Sequence, residues 1–147
     1  MRWLAFVSLF LASSADASPP AVTVRVQVEG SENLTFNHLA QNTLSVQTPW
    51  GTQQAVFSGA PYTPDPQHYW RHLFPLTLQL KMPANTQAGR YPVRATAQLY
   101  LCDQRAHVCT VRTAETDGEL TVRQPLARIE LLLKLKVPVF NFGPQRT

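Results

Sequence analysis

Apolar and polar residues alternate along most of this 147-residue chain. Val22, Val24, Val26 and Val28 are separated by Thr23, Arg25 and Gln27. A period of two turns one set toward a core and the other toward water, which predicts a half-buried strand ending at Gly30. Leu34-Thr35-Phe36 and Leu44-Ser45-Val46 repeat the pattern briefly, and Ala55-Val56-Phe57 is a short candidate before Ser58-Gly59. Leu76, Leu78, Leu80 and Met82 alternate with Thr77, Gln79 and Lys81 until Pro83 ends the strand. The longest alternation runs over 91–102. Val93, Ala95, Ala97, Leu99 and Leu101 share one parity; Arg94, Thr96, Gln98, Tyr100 and Cys102 share the other. Cys102 is therefore expected on the polar face.

Cys109 opens a further strand through Thr110, Val111 and Arg112. Thr116-Asp117-Gly118 predicts a turn, and Leu120 and Val122 the inward pair of another strand. Ile129, Leu131, Leu133, Leu135, Val137 and Val139 alternate with Glu130, Lys134 and Lys136. Six apolar residues in strict alternation favour a strand over 129–139 rather than a helix, and the lysines suit an edge strand because they discourage sheet-to-sheet pairing. Residues 85–89 form a turn region, and Gly143-Pro144 with the polar end that follows predicts a frayed terminus. Residues 58–75 predict a long loop, punctuated by Pro61, Pro64, Pro66 and Pro75 and carrying Tyr62, Tyr69, Trp70 and Phe74. Such a loop either covers one end of the core with its aromatics or serves function. Seven or more short strands, Gly/Pro/Asn turns and the lack of a helical period together predict an all-β, antiparallel β-sandwich.

The first 17 residues break this pattern. Met1-Arg2 gives a positive start, residues 3–12 are apolar except Ser8, and Ala15-Asp16-Ala17 is a small-residue cleavage pattern. This is the layout of a secretory signal peptide cut near Ala17. The expected organisation is a signal peptide over 1–17 and a single sandwich domain over 18–147, periplasmic or secreted. No later apolar stretch reaches the roughly 18 residues that span a bilayer. Lys and Arg number 13 against 9 Asp and Glu, a net charge of +4 that loss of Arg2 and Asp16 leaves unchanged. The charge is scattered, with no basic run, so nucleic acid is not indicated as a partner. All 12 prolines follow residue 17, which breaks up any long helix.

Export changes the meaning of the two cysteines, because a disulfide persists in an oxidising compartment. Cys102 and Cys109 flank six residues and sit at the facing ends of consecutive strands. Opposed Cα atoms in an antiparallel pair lie about 4.5–5.5 Å apart, within the span a disulfide needs. One reading is a staple, contributing on the order of 2.5 kcal/mol for a loop of about eight residues. The other is thiol–disulfide exchange, for which Arg105 and His107 inside the loop favour a thiolate and Asp103 opposes one. Both remain open on spacing alone. A metal site is the weaker alternative. Cys102 and His107 have the spacing of part of a copper loop, but no methionine follows, Met82 belongs to a strand, and His68 and His72 lie in a proline-bounded loop. No cofactor motif, G-x-S-x-G, H-E-x-x-H or Cys-x-x-Cys is present. Asn33-Leu34-Thr35 matches a glycosylation acceptor, which matters only in a glycosylating host.

A wider pattern surrounds the cysteines. Ala88-Gly89-Arg90-Tyr91-Pro92-Val93 leads into Ala97-Gln98-Leu99-Tyr100-Leu101-Cys102, then Cys109, then Glu119-Leu120-Thr121-Val122. His68-Tyr69-Trp70-Arg71-His72-Leu73 precedes the strand over 76–82. Over about residues 55–123 this resembles the amino-terminal periplasmic domain of the transmembrane disulfide reductase DsbD. The resemblance implies an immunoglobulin-like sandwich whose Cys102/Cys109 pair cycles between dithiol and disulfide, with Tyr62 or Tyr69 as an aromatic cap. It implies a redox protein partner, either a membrane thiol carrier or a thioredoxin-like protein, and leaves the strand over 129–139 as an addition. The alternative of the same fold is a non-enzymatic binding or accessory module with a structural disulfide. Its partner surface is then the aromatic loop at 60–74 or the edge of the last strand.

Overall fold

The computed structural model describes residues 21–138, so the expected signal peptide, Val139 and the carboxy-terminal tail lie outside the described residues. The described chain is all-β. Its strands are β1 (Ala21–Glu29), β2 (Leu34–Asn37), β3 (Thr43–Thr48), β4 (Gly51–Val56), β5 (Gly59–Pro61), β6 (Tyr69–Leu73), β7 (Leu76–Lys81), β8 (Gly89–Asp103), β9 (Val108–Val122) and β10 (Ile129–Lys136). They form two facing sheets, a β-sandwich. The smaller has the order β10-β1-β7; the larger runs β4-β3-β8-β2-β6-β5, with β9 also paired to β8. Every pairing is antiparallel except β1 with β10, which is parallel from Val22↔Ile129 to Glu29↔Lys136. The last strand is an edge, as its lysines suggest, but it returns in the direction of the first.

The alternation sets the core. Val22, Val24 and Val26 of β1, Leu78 and Leu80 of β7, and Leu133 and Leu135 of β10 are buried from one side. Leu44, Val46, Val93, Ala95, Ala97, Leu99, Leu101, Ala114, Leu120 and Val122 are buried from the other. Each buried leucine or valine contributes about 1.5–3 kcal/mol of transfer free energy, so this interdigitated layer is the main stabilising term.

Two stretches differ from the sequence expectation. The loop over 58–75 contains β5 and β6, which pair with each other, and β6 pairs with β2 through Phe36↔Trp70 and Asn37↔Tyr69. Proline density hides them, yet Pro61 ends an edge strand, where a missing N–H is tolerated. The turn expected at Thr116-Asp117-Gly118 is absent: β9 continues straight through, with Gly118 opposite Val93. A Cβ on Gly118 would lie 2.6 Å from Leu133 Cδ2 of β10. Glycine is thus used here for close approach of the facing sheet, not for a turn. Asp117 instead accepts a hydrogen bond from Arg94 Nε across the β8–β9 ladder at 2.9 Å. That bond, with the charges of Asp117 and Glu115, raises the guanidinium pKa further above its ordinary value.

β8 is the axis of the larger sheet. One edge pairs with β9 along its whole length, from Gly89↔Val122 to Asp103↔Val108. The other is shared, with β3 covering 94–98 and β2 covering 101–103. Between them the Tyr100 N–H has no strand to bond. Asn42, fully buried, fills the break: its Oδ1 accepts from Tyr100 N at 2.8 Å and its Nδ2 donates to Asn37 O at 3.1 Å. Its own backbone carbonyl accepts from Phe57 N at 2.8 Å. Replacing Asn42 by Ala is expected to cost about 1–3 kcal/mol, the penalty of stranding a buried donor. Chemical denaturation of the Asn42→Ala variant checks this, and an unchanged midpoint would show that the bridge contributes nothing.

Candidate functional site around Cys102 and Cys109

The β8–β9 register brings the two cysteines directly opposite one another. They form a disulfide with an S–S length of 2.04 Å and a Cα–Cα separation of 4.0 Å. The connecting turn is held by Asp103, whose Oδ1 accepts from Arg105 N at 2.8 Å and Ala106 N at 3.1 Å. Short acceptor side chains commonly brace a turn in this way. His107 closes the turn with a φ of 52°, a left-handed conformation that histidine adopts more readily than bulkier residues. Arg105 and His107 are exposed on the turn.

The two sulfur-bearing residues have unlike surroundings. Cys102 is only 2% exposed, although its parity is that of the outer face. The expectation of a polar-face position holds for its direction and not for its exposure. On the free side of β8, Thr35 of β2 stands directly opposite it and is 1% exposed. Thr35 Oγ1 donates to Cys102 O at 3.3 Å and accepts from Gln104 Nε2 at 2.8 Å. Gln104 N also bonds Asn33 O at 3.4 Å. Cys109, by contrast, is exposed, on a strand that among the described residues is paired along one edge only. The next residue along that face of β9 is Val111, opposite Tyr100 and 45% exposed. The exposed half-cystine and the exposed valine lie side by side on the outer face at the end of the β8–β9 hairpin.

A scan of protein-family models gave no match to this chain, and neither did a search of curated proteins.

Of the expected cap residues, Tyr69 lies on the same face, farther off. Tyr69 pairs with Asn37, which shares the parity of Thr35. Tyr69 is thus two strands and two residues from Cys102, a diagonal on the order of 12 Å at ordinary strand spacing. Tyr62 is tied to it by Tyr62 N to Tyr69 O at 3.0 Å and an edge-on ring contact at 6.4 Å. Of the histidines, His68 Nδ1 lies 2.7 Å from Asp65, and His72 meets the Phe74 ring edge-on at 5.8 Å. Among the described residues no three potential metal ligands gather at one place.

Thr35, Gln104 and Asn42 escape a reading of the sequence. Thr35 occupies a polar slot in a short alternation, and nothing in its local pattern says that it will be buried against a cysteine. The Asp103 brace is more visible, since an aspartate right after a strand is a common turn starter. Asp103→Ala is expected to destabilise the oxidised domain by about 1–2 kcal/mol through loss of two bonds to a charged acceptor. Thermal unfolding measures this; a midpoint equal to that of the parent would mean that the disulfide alone holds the turn.

Proposed function

We propose that this chain is an exported, immunoglobulin-like β-sandwich in which Cys102 and Cys109 exchange electrons with a redox protein partner. The observation that carries the reading is the unequal exposure of the pair. A disulfide is reduced by attack of a thiolate on an accessible sulfur, and here only Cys109 is open to a protein-sized nucleophile. A partner thiolate attacks Cys109 Sγ, the Cys102–Cys109 bond breaks, and Cys102 leaves as a thiolate that takes up a proton. A second partner thiol then attacks the partner's sulfur in the mixed disulfide and releases Cys109. Two electrons and two protons have passed to this chain, and the partner holds the disulfide. The reverse sequence delivers them to a second partner. A membrane thiol carrier or a thioredoxin-like protein supplies such paired thiols. Val111 offers the partner apolar contact beside the reacting sulfur, and Tyr62 and Tyr69 are the candidates for shielding the pair between encounters. Arg105 and His107, exposed on the turn before Cys109, are the candidates for tuning the pair.

The burial of Cys102 favours a second reading, a non-enzymatic accessory module of the same fold with a structural staple. Its sulfur is enclosed and its backbone is bound to β2 through Thr35.

Equilibration with defined thiol–disulfide buffers, followed by alkylation and mass measurement, separates the readings. A carrier should show a potential above about −300 mV, and a lower value would establish the staple. In single-cysteine variants, the Cys109 thiol of Cys102→Ser should react with an aromatic disulfide reagent about tenfold faster than the Cys102 thiol of Cys109→Ser. Equal rates would remove the assignment of Cys109 as the attacked sulfur.

A further inference from the structure

The free edges of the sandwich are not treated alike. β9 carries Arg112, Glu115, Asp117 and Glu119. β10 carries Glu130, Lys134 and Lys136. β7 is bracketed by Pro75 and Pro83 and ends in Lys81, and β5 is three residues long and ends in Pro61. Charge, proline and shortness are the usual devices that stop an edge from pairing with another chain. β4, at the end of the larger sheet, has none of them. Its sequence Gly-Thr-Gln-Gln-Ala-Val contains no ionisable residue and no proline. All of it but Ala55 is exposed, Val56 to 52%. Its six residues pair with β3 from Thr43↔Val56 to Thr48↔Gly51, and no strand lies beyond them among the described residues.

We infer that β4 is a self-association edge, pairing antiparallel about a two-fold axis with β4 of a second copy of this chain. The strand's neutrality and its self-complementary amides suit that occupant. A two-fold pairing sets each residue against a residue of the same strand, so a charged edge risks like charges directly opposite, which destabilises a sheet pair. β4 is free of this penalty even though the whole chain carries +4. A two-fold at Gln54 sets the two Gln54 amides opposite one another, each able to donate and accept, and sets Thr52 against Val56 of the second copy. Lys81 of the facing sheet lines a small surface pocket together with Gly51, Thr52 and Gln53. That arrangement sends the two copies of Lys81 to opposite ends of the interface. The product is one sheet continuous through both copies, related by the two-fold symmetry that is commonest among homodimers.

Two six-residue strands make a small contact, so the dimer is weak. Sedimentation equilibrium of the oxidised chain is expected to show the average mass rising toward twice that of the monomer between about 10 µM and 1 mM. Gln54→Lys and Gln54→Glu should each weaken association at least tenfold, and a 1:1 mixture of the two should restore it, since Lys then faces Glu. Circular dichroism confirms that each variant is folded. A parent chain that stays monomeric throughout, a dimer untouched by either charge, or a mixture that is not restored would each overturn the pairing.

Discussion

The fold depends on the long ladder between β8 and β9. It contains fifteen facing pairs, and among the described residues β8 is the only strand that meets three partners, β9, β3 and β2. Because side chains alternate with a strict period of two, a slip of one residue along this ladder would turn every inward residue of a strand outward. Val93, Ala95, Ala97, Leu99 and Leu101 would then leave the core together, and Cys102 would no longer face Cys109. Burial of that apolar row fixes the register, and the register in turn makes the disulfide possible. The small residues matter as well. Ala97 faces Ala114, and Gly118 leaves space into which Leu133 of β10 settles. The two sheets approach where β8 and β9 are thinnest.

Much of this layout was legible in the alternation, because period-two burial is a local signal. The strand over 91–102, the valine strand at the start, the strand ending at Pro83 and the lysine-bearing last strand are all present where the pattern points. What was not legible is what depends on a distant neighbour. Asp117-Gly118 carries the composition of a turn, and only the approach of Leu133 shows why a glycine is needed inside a strand. β5 and β6 are short and proline-flanked, so their alternation is too brief to register, and β2 is what completes them. The parallel return of β10 to β1 is a long-range choice with no local signature. The cysteine pair itself was legible as two residues at facing strand ends. The burial of Cys102 was not, since its neighbour on the free side of β8 is Thr35, 67 residues away in sequence.

The unequal exposure of the two cysteines follows from this topology. Among the described residues, Cys102 is on a strand flanked on both sides, and Cys109 is on a strand flanked on one. On the free side of β8, Thr35 stands opposite Cys102, while Cys109 stays exposed. A structural staple gains nothing from that difference, because the loop-closure effect depends on the length of chain enclosed and not on access to either sulfur. Exchange does gain, since attack on one chosen sulfur decides which cysteine forms the mixed disulfide and which leaves.

The same ladder bears on whether the bond can open without loss of the fold. The enclosed loop is short, so the closure term is on the order of 2.5 kcal/mol. Thirteen residue pairs precede the cysteines along the ladder, and the Asp103 brace and the Thr35–Gln104 bonds hold the end of the hairpin without any help from sulfur. Core burial on the inner face is untouched by the redox state, because both cysteines have outer-face parity. Reduction therefore removes a local tie at the tip of a hairpin whose register is set elsewhere. The register alone sets the two residues opposite one another, so the proposed exchange requires no change in the ladder. A pair placed in a long flexible loop would separate on reduction. Here the opposition of the two cysteines rests on the β8–β9 register and not on the bond between their sulfurs.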